Sequence, residues 1–148
     1  MAFHFTLEAV FRFRQSLEDR ELLHLQALLM RRASLSRELE ECRQLSLNLQ
    51  QETKQAMLRR PTPAVEIHFA TARLHALERQ RQLVHRQLCE LKTAIVEQRS
   101  RFQQQRRNRE MLEALRDAQL RDYRQTQRRR DQAQLDELHL LRSSAISQ

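Results

Sequence analysis

A chain of 148 residues without a single glycine has very little freedom to turn. Glycine takes up positive φ without a steric penalty, and tight turns and helix C-caps draw on it. A globular domain of this length would carry roughly ten at the usual ~7%. Two prolines, Pro61 and Pro63, are the only strong breakers. The chain must therefore build a few very long elements. Active sites and phosphate-cradling loops are assembled mostly from loops around a concave pocket. A chain of this kind is expected to be non-enzymatic and to hold no cofactor.

The apolar residues fall in rows. Leu28, Leu35, Cys42, Leu49 and Ala56 recur every seven residues, joined by Leu25 and Leu39. In the second half Ile67, Ala70, Leu74, Leu77, Val84, Leu88, Leu91, Ile95 and Phe102 follow alternating steps of three and four, with Arg81 and Gln98 as the misses. A period of 3.5 belongs to a left-handed coiled coil. The first row weakens toward the N-terminus, where Arg14 and Glu21 take the heptad position. The second thins after Phe102, where Gln105, Arg109, Arg116 and Gln119 stand between Leu112 and Tyr123.

Between the rows lies Arg60-Pro61-Thr62-Pro63. Pro61 drives Arg60 out of the helical region, and Thr62 before Pro63 reads as an N-cap followed by proline in the first turn. At the other end Thr6 caps the first helix, with Phe5 and Val10 at the two positions of a hydrophobic staple. The expected fold is all-α: one elongated domain over residues 1–148, a long antiparallel two-helix coiled coil or α-hairpin. Its parts are helix one at 6–59, a turn at 60–62, helix two at 63–141 and a flexible tail at 142–148. Residues whose numbers sum to roughly 124 should face each other. At 1.5 Å per residue the helices reach ~80 Å and ~115 Å, so the end of helix two has no partner within the chain.

No apolar run approaches the ~18 residues that cross a bilayer, and Glu8, Arg12 and Arg14 interrupt any signal-peptide core. The expected location is the cytoplasm. There Cys42 and Cys89, which lack CxxC spacing, stay reduced and pack as small hydrophobes. The six histidines form no metal-binding spacing, so no metal site is expected. Between residues 99 and 130 eleven arginines stand against four carboxylates, a net +7 of the formal +8. Such a segment suits an acidic protein surface, a solvated helix face, or nucleic acid bound electrostatically. Phe3, Phe5, Phe11 and Phe13 either cap the hairpin locally against residues 111–121 or reach a partner at its open end.

The opening Phe3-His4-Phe5-Thr6-Leu7-Glu8-Ala9-Val10-Phe11 resembles that of the FliJ family, a coiled-coil component of the bacterial flagellar export apparatus. So does the ending, in which Arg109, Leu112, Leu115, Arg116, Tyr123 and Arg128-Arg129-Arg130 lead into Leu135-Asp136-Glu137-Leu138. The resemblance implies a rod like the central stalk of rotary ATPases. Its paired termini enter the hexameric export ATPase and promote ring assembly, while the rod engages the membrane export gate protein and export chaperones. It further implies a chain peripheral to the inner-membrane export apparatus and monomeric alone. Carried over, Phe11, Tyr123, Arg128, Arg129, Arg130, Asp136 and Glu137 lie at the ATPase end, and Leu45, Leu47 and Phe69 on the gate-facing half. The stalk of a virulence-type secretion system and an Arg-rich nucleic-acid-binding coiled coil are the alternatives.

Overall fold

The computed structural model describes residues 2–146, and among them the regular secondary structure is all α-helix. Helix α1 runs Glu8–Arg59 and helix α2 Ala64–Ile146. They pack against each other as an antiparallel two-helix coiled coil, and no described residue has positive φ. The absence of glycine is thus matched by a backbone that never needs it.

The reversal is short. Arg60 N–H still bonds the Ala56 carbonyl at 3.2 Å, closing the last turn of α1. The first carbonyl to accept within α2 is that of Pro63, from Glu66 N–H at 3.1 Å and Ile67 N–H at 3.3 Å. The cap therefore falls on Pro63 and not on Thr62, whose hydroxyl donates to the Arg60 carbonyl at 3.4 Å. Arg60 Nη2 reaches back over the turn to Glu66 Oε2 at 3.1 Å, an exposed pair that adds little stability but suits both helix dipoles.

The chain divides into two compact units. In residues 20–102 the seam is aliphatic: Leu25, Leu35, Cys42, Val84 and Ile95 are buried. Two of the polar interruptions meet here. Gln98, itself buried, donates its amide to the backbone carbonyl of Glu21 at 3.1 Å and also to the Glu21 carboxylate. Further along, the Gln80 amide bonds Glu38 Oε1 at 3.2 Å.

In residues 2–19 with 103–146 the seam is aromatic and ionic. Phe5 and Phe11 are its buried hydrophobic residues. The start of α1 differs from the staple expected there, since Phe5 is buried but Val10 is exposed. Glu8 N–H bonds the Phe5 carbonyl at 3.1 Å, so a turn precedes the helix. At the other terminus α2 continues through residues 142–146, where the sequence pointed to a tail; Ser144 Oγ donates to the Leu141 carbonyl at 2.8 Å. Residues 147–148 lie outside the described residues.

Candidate partner-binding site

The open end of the hairpin is built from the first turns of α1 and the stretch of α2 from Arg109 to Tyr123. Helical spacing sets Arg109, Arg116 and Tyr123 seven residues apart on one side of α2. Each meets the N-terminal segment. Arg109 Nε bonds the Glu18 carboxylate while its Nη1 holds Glu113 Oε2 at 2.6 Å. The side chains of Arg109 and Glu18 are only 19% and 14% exposed. The hydrogen bond to Glu18 holds the Arg109 guanidinium above the usual arginine range, against the cost of desolvation. One step on, the Arg116 guanidinium carbon lies 4.6 Å from the centroid of the buried Phe11 ring, a cation–π contact. A further heptad on, Phe3 and Tyr123 stack at 5.6 Å with their planes tilted by 52°.

The aromatic group is thereby divided. Phe5 and Phe11 are interior, Phe3 rests on Tyr123, and Phe13 stays 60% exposed. Local capping accounts for three of the four rings, and Phe13 alone faces water.

Beyond Gln127 the helix is solvated. Residues 128–146 are all exposed. Among the described residues no ion pair engages Arg128, Arg129 or Arg130, and Asp136 accepts only from Gln132 Nε2 at 2.9 Å, within its own helix. Five of the residues expected at the ATPase end, Arg128, Arg129, Arg130, Asp136 and Glu137, follow one another along this stretch, and a sixth, Tyr123, stands just before it against Phe3. The seventh, Phe11, is buried by its own chain and can act on a partner only by holding Arg116 in place.

The other expected surface, near the turn, is not one site. Phe69, 70% exposed, lines a shallow apolar groove with Ala64, Val65, His68 and Ala72. Leu47 lines a different groove beside Glu40, Arg43 and Arg81, and Leu45 is exposed but belongs to neither. Of the two thiols, Cys42 is buried in the seam as expected, whereas Cys89 is exposed, its sulfur 3.8 Å from His85 Nε2. Cys89 follows Leu88, which takes the seam position, so the thiol falls on the outer face. Among the described residues no three His, Cys, Asp or Glu side chains gather to hold a metal. Among the described residues no helix is long and apolar enough to cross a membrane.

One feature escaped the heptad count. Leu135, Leu138 and Leu141 are each about 60% exposed and line a groove on the unpaired end of α2. Their spacing was visible in the sequence, where Leu135 and Leu138 counted only as part of a terminal pattern.

These features define a class: a helical-hairpin coiled coil with exposed helix faces and a long solvated helical end. The family model described as Flagellar FliJ protein matches residues 3–145, and the chain belongs to that family. Membership makes it a component of the flagellar protein export apparatus, in a family of non-enzymatic export proteins. No curated protein and no solved structure matches the chain.

Proposed function

We propose that the protein is a coupling stalk of the flagellar export apparatus, binding the export ATPase hexamer through its open end and promoting assembly of the ring. The observation that carries this reading is the end of α2: past Gln127 every described residue of the helix, as far as Ile146, is exposed. A solvated helix of this length, carrying three adjacent arginines and the exposed Leu135, Leu138, Leu140 and Leu141, is marginal without tertiary packing and gains from being gripped. Tyr123, Arg128, Arg129, Arg130, Asp136 and Glu137 make the contact. Phe11 acts from inside, through Arg116.

The rod then couples the ring to the membrane export gate protein, with Phe69 and its apolar groove as the first contact and Leu45 and Leu47 as secondary ones. Export chaperones are further partners, and the chain sits peripherally at the inner-membrane apparatus. Membership of a flagellar family favours this system over a virulence-type one. Mixing the full chain with purified flagellar export ATPase tests the reading. Ring formation and ATP turnover should both rise. An ATPase whose assembly and turnover ignore the protein would overturn it.

A further inference from the structure

The stretch of α2 from Arg121 to Gln132 differs from the helix on either side. Its one large apolar side chain is Tyr123, which rests on Phe3; the nearest exposed leucines are Leu115 before it and Leu135 after it. Arg121, Arg124, Arg128, Arg129 and Arg130 are all exposed, and among the described residues none of them enters an ion pair. Five arginines against Asp122 and Asp131 leave the stretch with a net charge of +3.

Helical geometry sorts these charges by side. Tyr123 marks the side turned toward the start of α1. At about 100° per residue, Gln132 lies opposite Tyr123, with Gln125 about 20° from it. Around that outward middle Arg121 and Arg128 stand at about 20° and 40°, Arg124 at about 80° on the same side, and Arg129 at about 60° on the other. Asp122 and Asp131 fall at the edges, about 80° and 100° away. Arg130 points the other way, nearly in line with Tyr123. The outward face is therefore a pair of amides with unpaired guanidinium groups on both sides.

A partner for this face must be anionic and must bind without an apolar anchor. Protein interfaces draw their affinity from aromatic or aliphatic anchors seated in pockets, and the face offers none. A helix lying on a bilayer sinks Leu, Phe or Trp into it, and none stands in this stretch. A second copy would set arginine against arginine. Duplex DNA supplies the complement: two rows of phosphates bordering a major groove ~12 Å wide, which admits a helix ~10–12 Å across. Gln125 and Gln132 are separated by ~10.5 Å along the axis, close to three base-pair steps of ~3.4 Å. The major groove of A-form RNA is too deep and narrow to take such a face.

We infer that the outward face of α2 between Arg121 and Gln132 binds duplex DNA, lying in the major groove with Gln125 and Gln132 toward its floor and Arg121, Arg124, Arg128 and Arg129 on the phosphates of its two walls. This is a second activity, separate from the ATPase contact proposed above, although Arg128 and Arg129 belong to both surfaces.

The test is fluorescence anisotropy of a short labelled duplex titrated with the full chain between about 50 and 200 mM salt. Four phosphate contacts predict that log affinity falls against log salt with a slope of roughly −3.6. Arg128→Gln with Arg129→Gln should weaken binding by about tenfold or more at the lower salt and flatten the slope by about two. Arg128→Gln alone should cost about threefold or more, whereas Arg130→Gln, on the opposite side, should stay within about twofold. The substituted positions are exposed and glutamine keeps helix propensity, so the variants keep the fold, checked by helical circular dichroism. Equal losses for Arg128→Gln and Arg130→Gln would overturn the face, and no duplex binding at about 50 mM salt would overturn the activity. Tighter binding to double-stranded RNA or to phosphatidylglycerol vesicles than to the duplex would overturn the assigned partner. The assay contains no ATPase, so its failure leaves the ATPase reading standing, and failure of that reading leaves duplex binding untouched.

Discussion

The two units of the chain share one architecture and are held by different forces. Residues 20–102 are closed by aliphatic side chains, with Leu35 and Val84 each 2% exposed. Residues 2–19 with 103–146 are closed by Phe5, Phe11, a cation–π contact and the Glu18–Arg109–Glu113 ion cluster. Hydrophobic burial is non-directional and tolerates repacking, while ion pairs and rings depend on geometry and partners. The lesson is a division of labour: the aliphatic unit supplies stability and the aromatic–ionic unit holds a particular arrangement beside the unpaired end. Four experiments probe that contrast.

The largest effect should come from Leu35→Ala, costing ~2–5 kcal/mol in denaturant unfolding through lost burial and the cavity left behind. A cost below that of an exposed leucine such as Leu23 would remove the distinction between the units.

Second is Arg109→Ala, which strands the Glu18 carboxylate in a mostly desolvated place and should cost ~1–3 kcal/mol. The loss should appear as faster amide exchange in residues 2–19 and 103–123 and leave the aliphatic unit protected. Replacing both partners, Arg109→Met with Glu18→Leu, should restore the stability. Equal loss of protection in both units would mean that they unfold as one.

A smaller effect, of opposite sign, is expected at Gln105. Its amide oxygen is buried without a hydrogen-bond partner among the described residues, whereas the Gln98 amide is satisfied by Glu21. Gln105→Leu should therefore stabilise by ~0.5–1.5 kcal/mol and Gln98→Leu should not, because it leaves Glu21 unpaired. Melting curves that move alike for the two would contradict the hydrogen-bond assignment.

The smallest effect concerns Glu78, whose carboxyl is held below the usual carboxylate range chiefly by the hydrogen bond from Arg81. A depressed folded-state pKa gives stability that is present above the unfolded-state pKa and is lost as pH falls through the folded one. The pair is exposed, so the thermodynamic trace should be slight. Arg81→Ala should raise the Glu78 pKa toward the ordinary range in an NMR titration; an unmoved titration would remove the pairing.

Much of this was legible in the sequence, because a heptad row fixes which side of a helix is buried. Leu25, Leu35, Cys42, Val84 and Ile95 were read off spacing and are buried. A heptad row does not say which residues meet, since that depends on the axial register between the two helices. Hence Glu21 and Gln98 were read as separate interruptions although they bond each other. Likewise Arg109 looked like a gap in the seam and proves to be the centre of an ion cluster. The placement of the cap on Pro63 and the exposure of Val10 turn on single dihedrals at helix ends, which spacing does not encode. Leu135 and Leu138 lie off the seam phase, so a count that follows the seam passes over them.

The central claim is that the chain doubles back at Pro61 and Pro63, and spin labels at Glu38 and Gln80 test it most directly. These exposed side chains meet across the helix pair at 3.2 Å. With Cys42 and Cys89 replaced by serine, and Glu38→Cys and Gln80→Cys labelled, pulsed dipolar spectroscopy should give one short distance, about 10–25 Å once label length is added to two packed helices. That distance should persist when labelled protein is diluted with unlabelled chain. A separation near 60 Å, the length of one unbroken helix between those positions at 1.5 Å per residue, or a short distance that vanishes on dilution, would contradict the account.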